Sequence, residues 1–536
     1  MTVETVTLIE LLIIVPPLVD YDSDADRKSG KPDFENRRLI SPIDPLTVAG
    51  VLKSRGVQVG LLDMGIFTDS SLRIKKVKAA LRAGKPRYVA LVQSMLTFAT
   101  AQDWDGDAIF DLAREELPGV TTILTGSYAT NYPGRAIKNG KCDYSLKGEV
   151  ELSLPNLIKL LREGREDFSS IPGLSYKIAN ELIDDPRHPN TDITILPPPA
   201  YQILDEEHTQ GYVTTVERGK IRFPERSQRY RDIMTSKSCT LRCSFCSVAH
   251  FRGNKNKYRR KPTEKVITEI EQALDQGIEE IHFFDDLFAN EKKQIIDLCD
   301  ALSRHNLKFH WFVAQGLNLW FLDFETLDAM ASVGMYRLIA PFESGCDRVL
   351  HEVVGKVHSS VDQHHNVTQW ARKLDLELIG MFVVGMPGEQ RHEILDTVMF
   401  AENHPEIDYS VFSIATPMIG TRMTKKLVKH GTMTDIDAVH KVIKRTVALF
   451  NTEEFSEVEM GIIRAFEWDR LNFSSAKKRR KYCSMVGITQ DELAQMRNHS
   501  ISVFKQYFPD YDGPKSFKDL VSHGKEAYNM APVIPN

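Results

Sequence analysis

Ser238-Cys239-Thr240-Leu241-Arg242-Cys243-Ser244-Phe245-Cys246 gathers three of the chain's seven cysteines into eight residues. The other four, Cys142, Cys299, Cys346 and Cys483, are scattered singly, as small core residues are. Seven cysteines in 536 residues make no disulfide framework, so the group calls for a metal. Three thiolates at this spacing can hold three irons of a four-iron cluster and leave the fourth open to another ligand. A structural zinc site is the competing reading, with His250 as its fourth ligand.

Directly before the loop, Ile233–Ser236 reads as a strand, and it opens an alternating block. Further strands are predicted at Glu280–Phe284, Lys308–Ala314, Arg337–Pro341, Leu378–Val384 and Tyr409–Ile414. Helical patterns at Thr263–Gln276, Lys292–His305, Phe324–Val333 and Glu393–Asn403 separate them. Six strand–helix units predict a barrel or three-quarter barrel with its chemistry at the carboxyl ends of the strands. Phe284-Asp285-Asp286, Glu343-Ser344-Gly345 and Gly385-Met386-Pro387-Gly388-Glu389 stand at three of those ends. Aspartates there also suit helix N-caps, and the glycines suit turns.

The first 165 residues alternate as well. Strands are predicted at Leu8–Val15, Val57–Leu62, Tyr88–Val92, Thr121–Leu124 and Tyr144–Leu146. Helices are predicted at Pro45–Lys53, Leu72–Arg82, Trp104–Glu116 and Leu152–Arg162. This pattern implies a parallel sheet covered on both faces, which binds ligands at its strand carboxyl ends. Those ends carry Gln93-Ser94-Met95, Gly126-Ser127-Tyr128 and Gly148-Glu149. The expected domains are 1–165, a Rossmann-like α/β domain; 166–229, a proline-rich connecting segment; 230–425, the barrel; and 426–536, mainly helical. The basic run Lys477–Lys481 in the last part reads as a solvated helix face.

A hydrophobic fraction of 42%, a charged fraction of 26% and a net charge of -5 suit a globular chain and give no general reason to expect nucleic acid. The apolar stretch Val6–Leu18 is shorter than the roughly 20 residues of a spanning helix, and it has no signal-peptide flanks. No membrane span and a cytoplasmic location are therefore expected.

The cysteine loop resembles the CxxxCxΦC signature of the radical S-adenosylmethionine (SAM) superfamily, with Phe245 at the aromatic position and the loop after the first barrel strand. The resemblance implies a [4Fe–4S] cluster on Cys239, Cys243 and Cys246, with SAM bound through its amino and carboxylate groups at the open iron. It assigns SAM contacts to Phe245, Asp285, Asp286, Gln315, Glu343, Ser344 and Gly385. An α/β domain ahead of such a barrel resembles the cobalamin-dependent class. That implies cobalamin contacts at Pro45, Leu46, Ser94, Met95, Gly126, Ser127, Tyr128, Gly148 and Glu149. No Asp-x-His-x-x-Gly motif is present and no histidine precedes His188, so the first 165 residues offer no imidazole for the lower cobalt face.

Within the class, Cys239–Gly253, Gln315–Trp320, Phe342–Gly345 and Thr416–Gly420 are similar to the C-methylase family of fosfomycin biosynthesis. The resemblance implies methyl transfer from SAM, via methylcobalamin, to an unactivated carbon of a small molecule. It also implies an electron donor such as flavodoxin or ferredoxin. Lys255, Lys257, Arg259, Arg260 and Lys261 could take the SAM carboxylate or an anionic substrate, or be a solvated loop. The rival readings are a cobalamin-dependent cyclase or rearrangement enzyme, a non-catalytic cobalamin or metal sensor, and a nucleic-acid modifying enzyme.

Overall fold

The computed structural model describes residues 8–16, 41–67, 70–92, 106–205, 208, 226–253, 257–433, 450–452 and 454–523. Ser94, Met95, Trp104 and Lys255 lie outside them. The chain divides into two compact units. The first is residues 1–20, 33–219 and 248–259; the second is 21–32, 220–247 and 260–536.

The first unit is built on a seven-stranded sheet. Its strands are β1 (Leu11–Val15), β2 (Val59–Asp63), β3 (Tyr88–Leu91), β4 (Thr121–Thr125), β5 (Tyr144–Leu146), β6 (Leu174–Ile178) and β7 (Glu181–Asp184), in the order 2-1-3-4-5-6-7. Strands β1 to β5 are parallel. β1 is apolar throughout because it is buried on both faces, as central parallel strands are. All five predicted strands of this unit are present, and they keep the parallel order that puts their carboxyl ends on one edge.

The proline-rich segment corrects one expectation. β6 and β7 lie inside it as an antiparallel hairpin that extends the sheet from β5. Its two-residue turn, Ala179-Asn180, has positive φ at both positions, as a type I′ turn requires. β7 is exposed along its length and carries Glu181 and Asp184, charges that discourage further pairing at an edge.

The second unit holds six parallel strands in sequential order: β8 (Tyr230–Ile233), β9 (Glu280–Phe284), β10 (His310–Gln315), β11 (Met335–Glu343), β12 (Glu377–Val384) and β13 (Tyr409–Ile414). β8 and β13 do not pair, so the (β/α)6 arrangement is open. The helices Thr263–Asp275, Lys292–Arg304, Phe324–Ser332, Val361–Lys373 and Arg391–Asn403 bury one face each against the strands. The sequence placed the first strand three residues too late. β8 ends at Ile233 because the backbone of Thr235 and Ser236 is hydrogen-bonded to a side chain instead of to the ladder.

The C-terminal helices, including Trp468–Phe473 and Gln490–Tyr507, share one hydrophobic core with the barrel strands. Asn472 covers the open edge of β13: its amide accepts from Ser410 N (2.8 Å) and donates to Ser410 O (2.9 Å). That pairs the backbone groups an edge strand leaves exposed. The basic run beside it is partly consumed. Lys478 donates to Leu471 O and Arg479 to Phe473 O, carbonyls at the end of the preceding helix.

One buried charge cluster crosses the lower barrel. His282 of β9 lies opposite Asp232 of β8. Its ring nitrogens meet Asp232 Oδ1 and Glu280 Oε1, each at 3.1 Å, and Tyr336 donates to Glu280 Oε1 at 2.6 Å. Burial by itself would lower the His282 pKa; the hydrogen bonds and charges of Asp232 and Glu280 outweigh it and raise the value. An unfolded imidazole titrates near about 6.5, so this stabilisation is complete below that pH and is lost as pH rises through the folded value. His282→Leu should cost about 3–5 kcal/mol near about pH 6 by leaving the carboxylates unpaired. Thermal unfolding across neutral to alkaline pH should show that cost shrinking; a pH-independent difference would contradict the assignment.

Candidate functional site

The cysteine loop follows β8 and is held from two sides. On the β9 side, Asp285 Oδ1 accepts from Thr235 N (2.7 Å), Ser236 N (2.6 Å) and both hydroxyls. Asp286 Oδ2 accepts from Ser238 N at 2.7 Å. Ser238 has φ of 69°, a left-handed conformation rare for a residue with a Cβ, and it aims the chain into Cys239. Gly316, after β10, seals this flank: a Cβ there would lie 2.4 Å from Asp285 O.

The other flank is built by the elements after β11 and β13. Ser244 N donates to Val354 O (2.8 Å), the last residue of the π-helix Val349–Val354. Met423 N donates to Ser244 O (2.9 Å), and the Arg422 guanidinium donates to Arg242 O. Gly355 makes room for that guanidinium, since a Cβ there would stand 2.5 Å from Arg422 Nη2. Cys243 and Phe245 pack against Val354, Met386, Met423 and Leu427.

Cys239, Cys243 and Cys246 are half-buried and in no disulfide. Burial pushes the Cys239 thiol up to about 12 and also raises Cys243. Metal binding here would therefore release protons. The buried Lys356 ammonium opposes that rise for both thiols. It also donates to Glu343 Oε1 (2.7 Å) and Pro341 O (3.2 Å). Glu343 ends β11 with φ of 63°, a strained conformation of the kind found at functional sites. Among the described residues no three His, Cys, Asp or Glu side chains are arranged around a single ion.

The other expected SAM contacts divide into two groups. Phe245 stands in the loop, Asp286 bonds to its first residue, and half-buried Gln315 ends β10 beside Gly316. Asp285 is fully buried, its pKa raised by burial to about 6, with Oδ2 left without a hydrogen-bond partner. Ser344 Oγ meets Thr397 Oγ1 at 3.1 Å and so turns to the outer helix. Gly385 N and Met386 N donate to Glu389 Oε2, and burial pushes Glu389 up to about 8. Lys356 was not singled out from the sequence; it lies in no spacing pattern, and only the fold brings it near the thiols. Of the basic stretch, Arg260 donates to Thr235 Oγ1 (3.2 Å) and Lys261 pairs with Glu269 (2.6 Å). Neither is a solvated loop residue.

In the first unit, Gly126 ends β4 with φ of 91° and ψ of -151°, a conformation open in practice to glycine alone. It leads into the helix Ser127–Asn131, and the Tyr128 ring packs tilted against Tyr132 at 5.2 Å between centroids. Thr130 Oγ1 donates to Gly126 O and accepts from Gly148 N, joining the β4 and β5 ends. The remaining expected contacts are committed to the fold. Pro45 and Leu46 are buried in the helix Ile43–Ser54. Glu149 is buried, held by a bidentate Arg259 at 2.6 Å and by Thr191 N at 2.8 Å, with Arg252 at 3.8 Å. A Cβ on Gly148 would strike His188 at 2.6 Å.

This unit also contains histidines from beyond residue 165. His208 is satisfied by Asp63 N at 3.0 Å and Asp205 at 2.6 Å, and His250 Nε2 meets Asn131 Oδ1 at 3.1 Å.

Residues 233–401 match the Radical SAM superfamily profile. An uncharacterized methyltransferase of Pyrococcus horikoshii is 29% identical over 360 residues, 65% of this chain and 73% of that protein. Cytidylyl-2-hydroxyethylphosphonate methyltransferase of Streptomyces wedmorensis is 28% identical over 335 residues, 60% of this chain and 58% of that one. The fold is that of the cobalamin-dependent SAM radical enzyme OxsB (TM-score 0.65, 15% identity, 97% of this chain and 75% of that chain). It is also that of the methyltransferase TsrM of Kitasatospora setae (TM-score 0.58, 17% identity, 80% of each chain).

The carboxylate support is testable. Asp285→Ala strands two backbone N–H donors, at about 1–3 kcal/mol each, and should lower both melting temperature and iron bound on reconstitution. Asp285→Asn keeps an acceptor and should recover most of both. Equal iron in the wild type and the alanine variant would show that the loop does not depend on Asp285.

Proposed function

Residues 233–401 form a radical SAM domain, and from that premise we propose that the chain is a cobalamin-dependent methyltransferase acting on an unactivated carbon of a small molecule. The observation that carries the reading is the three-thiol loop, held rigid on both flanks by backbone hydrogen bonds while its thiols stay in no disulfide. The names of the two methyltransferase relatives support methyl transfer, and the OxsB and TsrM folds support a cobalamin-type N-terminal unit.

Cys239, Cys243 and Cys246 would hold three irons of a [4Fe–4S] cluster, with SAM at the fourth. Phe245, Asp286, Gln315 and the Glu343–Lys356 pair are the groups offered to SAM, and Gly126, Ser127 and Tyr128 those offered to cobalamin. When bound, cluster and SAM supply a 5′-deoxyadenosyl radical and cobalamin a transferable methyl group. The protein's own part is positioning. Asp285 and Asp286 fix the loop's entry, Val354 and Met423 fix its middle, and Lys356 places a cation beside two thiols. A loop fixed in this way needs little further ordering when its thiols bind their metal.

Changing the three cysteines to alanine should remove nearly all iron and abolish SAM cleavage; retention of about four irons per chain would overturn the cluster assignment. Protein reconstituted with cobalamin should show its visible absorption, and its paramagnetic resonance should lack nitrogen splitting from a histidine. With substrate and labelled SAM, S-adenosylhomocysteine and 5′-deoxyadenosine should form in about equal amounts with a methylated product. 5′-Deoxyadenosine without S-adenosylhomocysteine or added methyl mass would replace this reading with a cyclisation or rearrangement.

A further inference from the structure

The helix Arg422–Lys429 lies directly against the cysteine loop. Its buried residues Met423 and Leu427 share a hydrophobic cluster with Cys243 and Phe245, and its first turn is hydrogen-bonded to the loop backbone. The opposite face is charged. Arg422, Lys425, Lys426 and Lys429 are exposed, and the helix contains no acidic residue. Elsewhere in the second unit surface cations are commonly matched, as in Lys293–Asp297, Arg348–Glu352 and Arg470–Glu402. None of these four cations takes part in an ion pair among the described residues. Arg422 and Lys426 do hydrogen-bond to carbonyls, of Arg242 and Pro387. Exposed Val428 adds an apolar spot among them.

A chain of net charge -5 thus concentrates unmatched positive charge on the one helix that backs the proposed cluster. Such a face selects an acidic partner and accelerates its arrival. A helix is only about 10–12 Å across with its side chains, so a partner seated there lies about one helix from the loop.

We propose that the exposed face of Arg422–Lys429 is the docking surface for a small acidic one-electron carrier protein that reduces the cluster. The inference rests on the radical SAM reading above. One electron leaves the carrier's reduced flavin or iron–sulfur group and enters the cluster; no bond is made and no other reactant is needed. A small polar interface of this kind is transient and sensitive to salt.

The test uses the full chain, anaerobically reconstituted, and purified flavodoxin as the probe. Lys425→Glu/Lys429→Glu reverses two cations that touch neither the loop nor the expected SAM contacts; Lys425→Arg/Lys429→Arg keeps the charge. Flavodoxin affinity, measured by fluorescence anisotropy, should fall about tenfold or more in the glutamate variant and with rising salt in the wild type, and hold in the arginine variant. SAM cleavage driven by reduced flavodoxin should fall by a similar factor, while dithionite-driven cleavage and iron content stay within about twofold. Unchanged flavodoxin affinity in the glutamate variant overturns the surface. So does loss of transfer RNA affinity with flavodoxin affinity intact, which would make a nucleic acid the occupant. Absence of dithionite-driven cleavage in wild type with a full cluster would instead refute the radical SAM reading, and the affinity comparison would still decide the surface.

Discussion

Two adjacent carboxylates at the end of β9 set the shape on which the candidate site depends. Asp285 and Asp286 accept backbone N–H groups of Thr235, Ser236 and Ser238 at 2.6–2.7 Å, the length of charge-assisted bonds. These bonds end β8, turn the chain through a left-handed Ser238 and deliver Cys239 at the mouth of the barrel. Burying Asp285 is costly, as its raised pKa shows, and the bonds repay that cost only when all are made together. The arrangement therefore has little tolerance for slack.

The second anchor is less regular. β11 closes on a left-handed Glu343, a π-helix follows, and Gly355-Lys356 returns the chain beneath the cysteine loop. Strained residues and π-turns concentrate where a fold must aim side chains rather than pack them. Here the result is a lysine ammonium and a carboxylate buried together near two thiols. Leaving either partner alone would strand a charge, so the pair is a unit.

Several other charges among the described residues are committed to the fold. Arg252 and Arg259 serve Glu149, and Lys478 and Arg479 cap carbonyls of the neighbouring helix. A basic run in sequence is thus a poor guide to a binding surface. The helix Arg422–Lys429 is less conspicuous in sequence, yet among the described residues it carries unmatched charge beside the loop.

Strand–helix alternation and the three-cysteine spacing were legible from the residues because they depend on short-range periodicity. The parallel order of β1 to β5, the six barrel strands and the loop after the first of them all follow from it. The hairpin Leu174–Asp184 was missed because prolines around it mimic a linker, while its turn signal, Ala179-Asn180, is weak without glycine. That Asp285 and Asp286 stand at a strand end was readable; that they bind the loop's own backbone was not. Such a bond joins residues about fifty positions apart. Lys356 against Glu343 and Glu149 against Arg259, 13 and 110 positions apart, were no more readable. The sequence by itself determined the alternation of strands and helices and where the thiols cluster, since neighbouring residues settle both. Only the tertiary structure decided which charges meet which partners, because burial and long-range contact, not spacing along the chain, choose them.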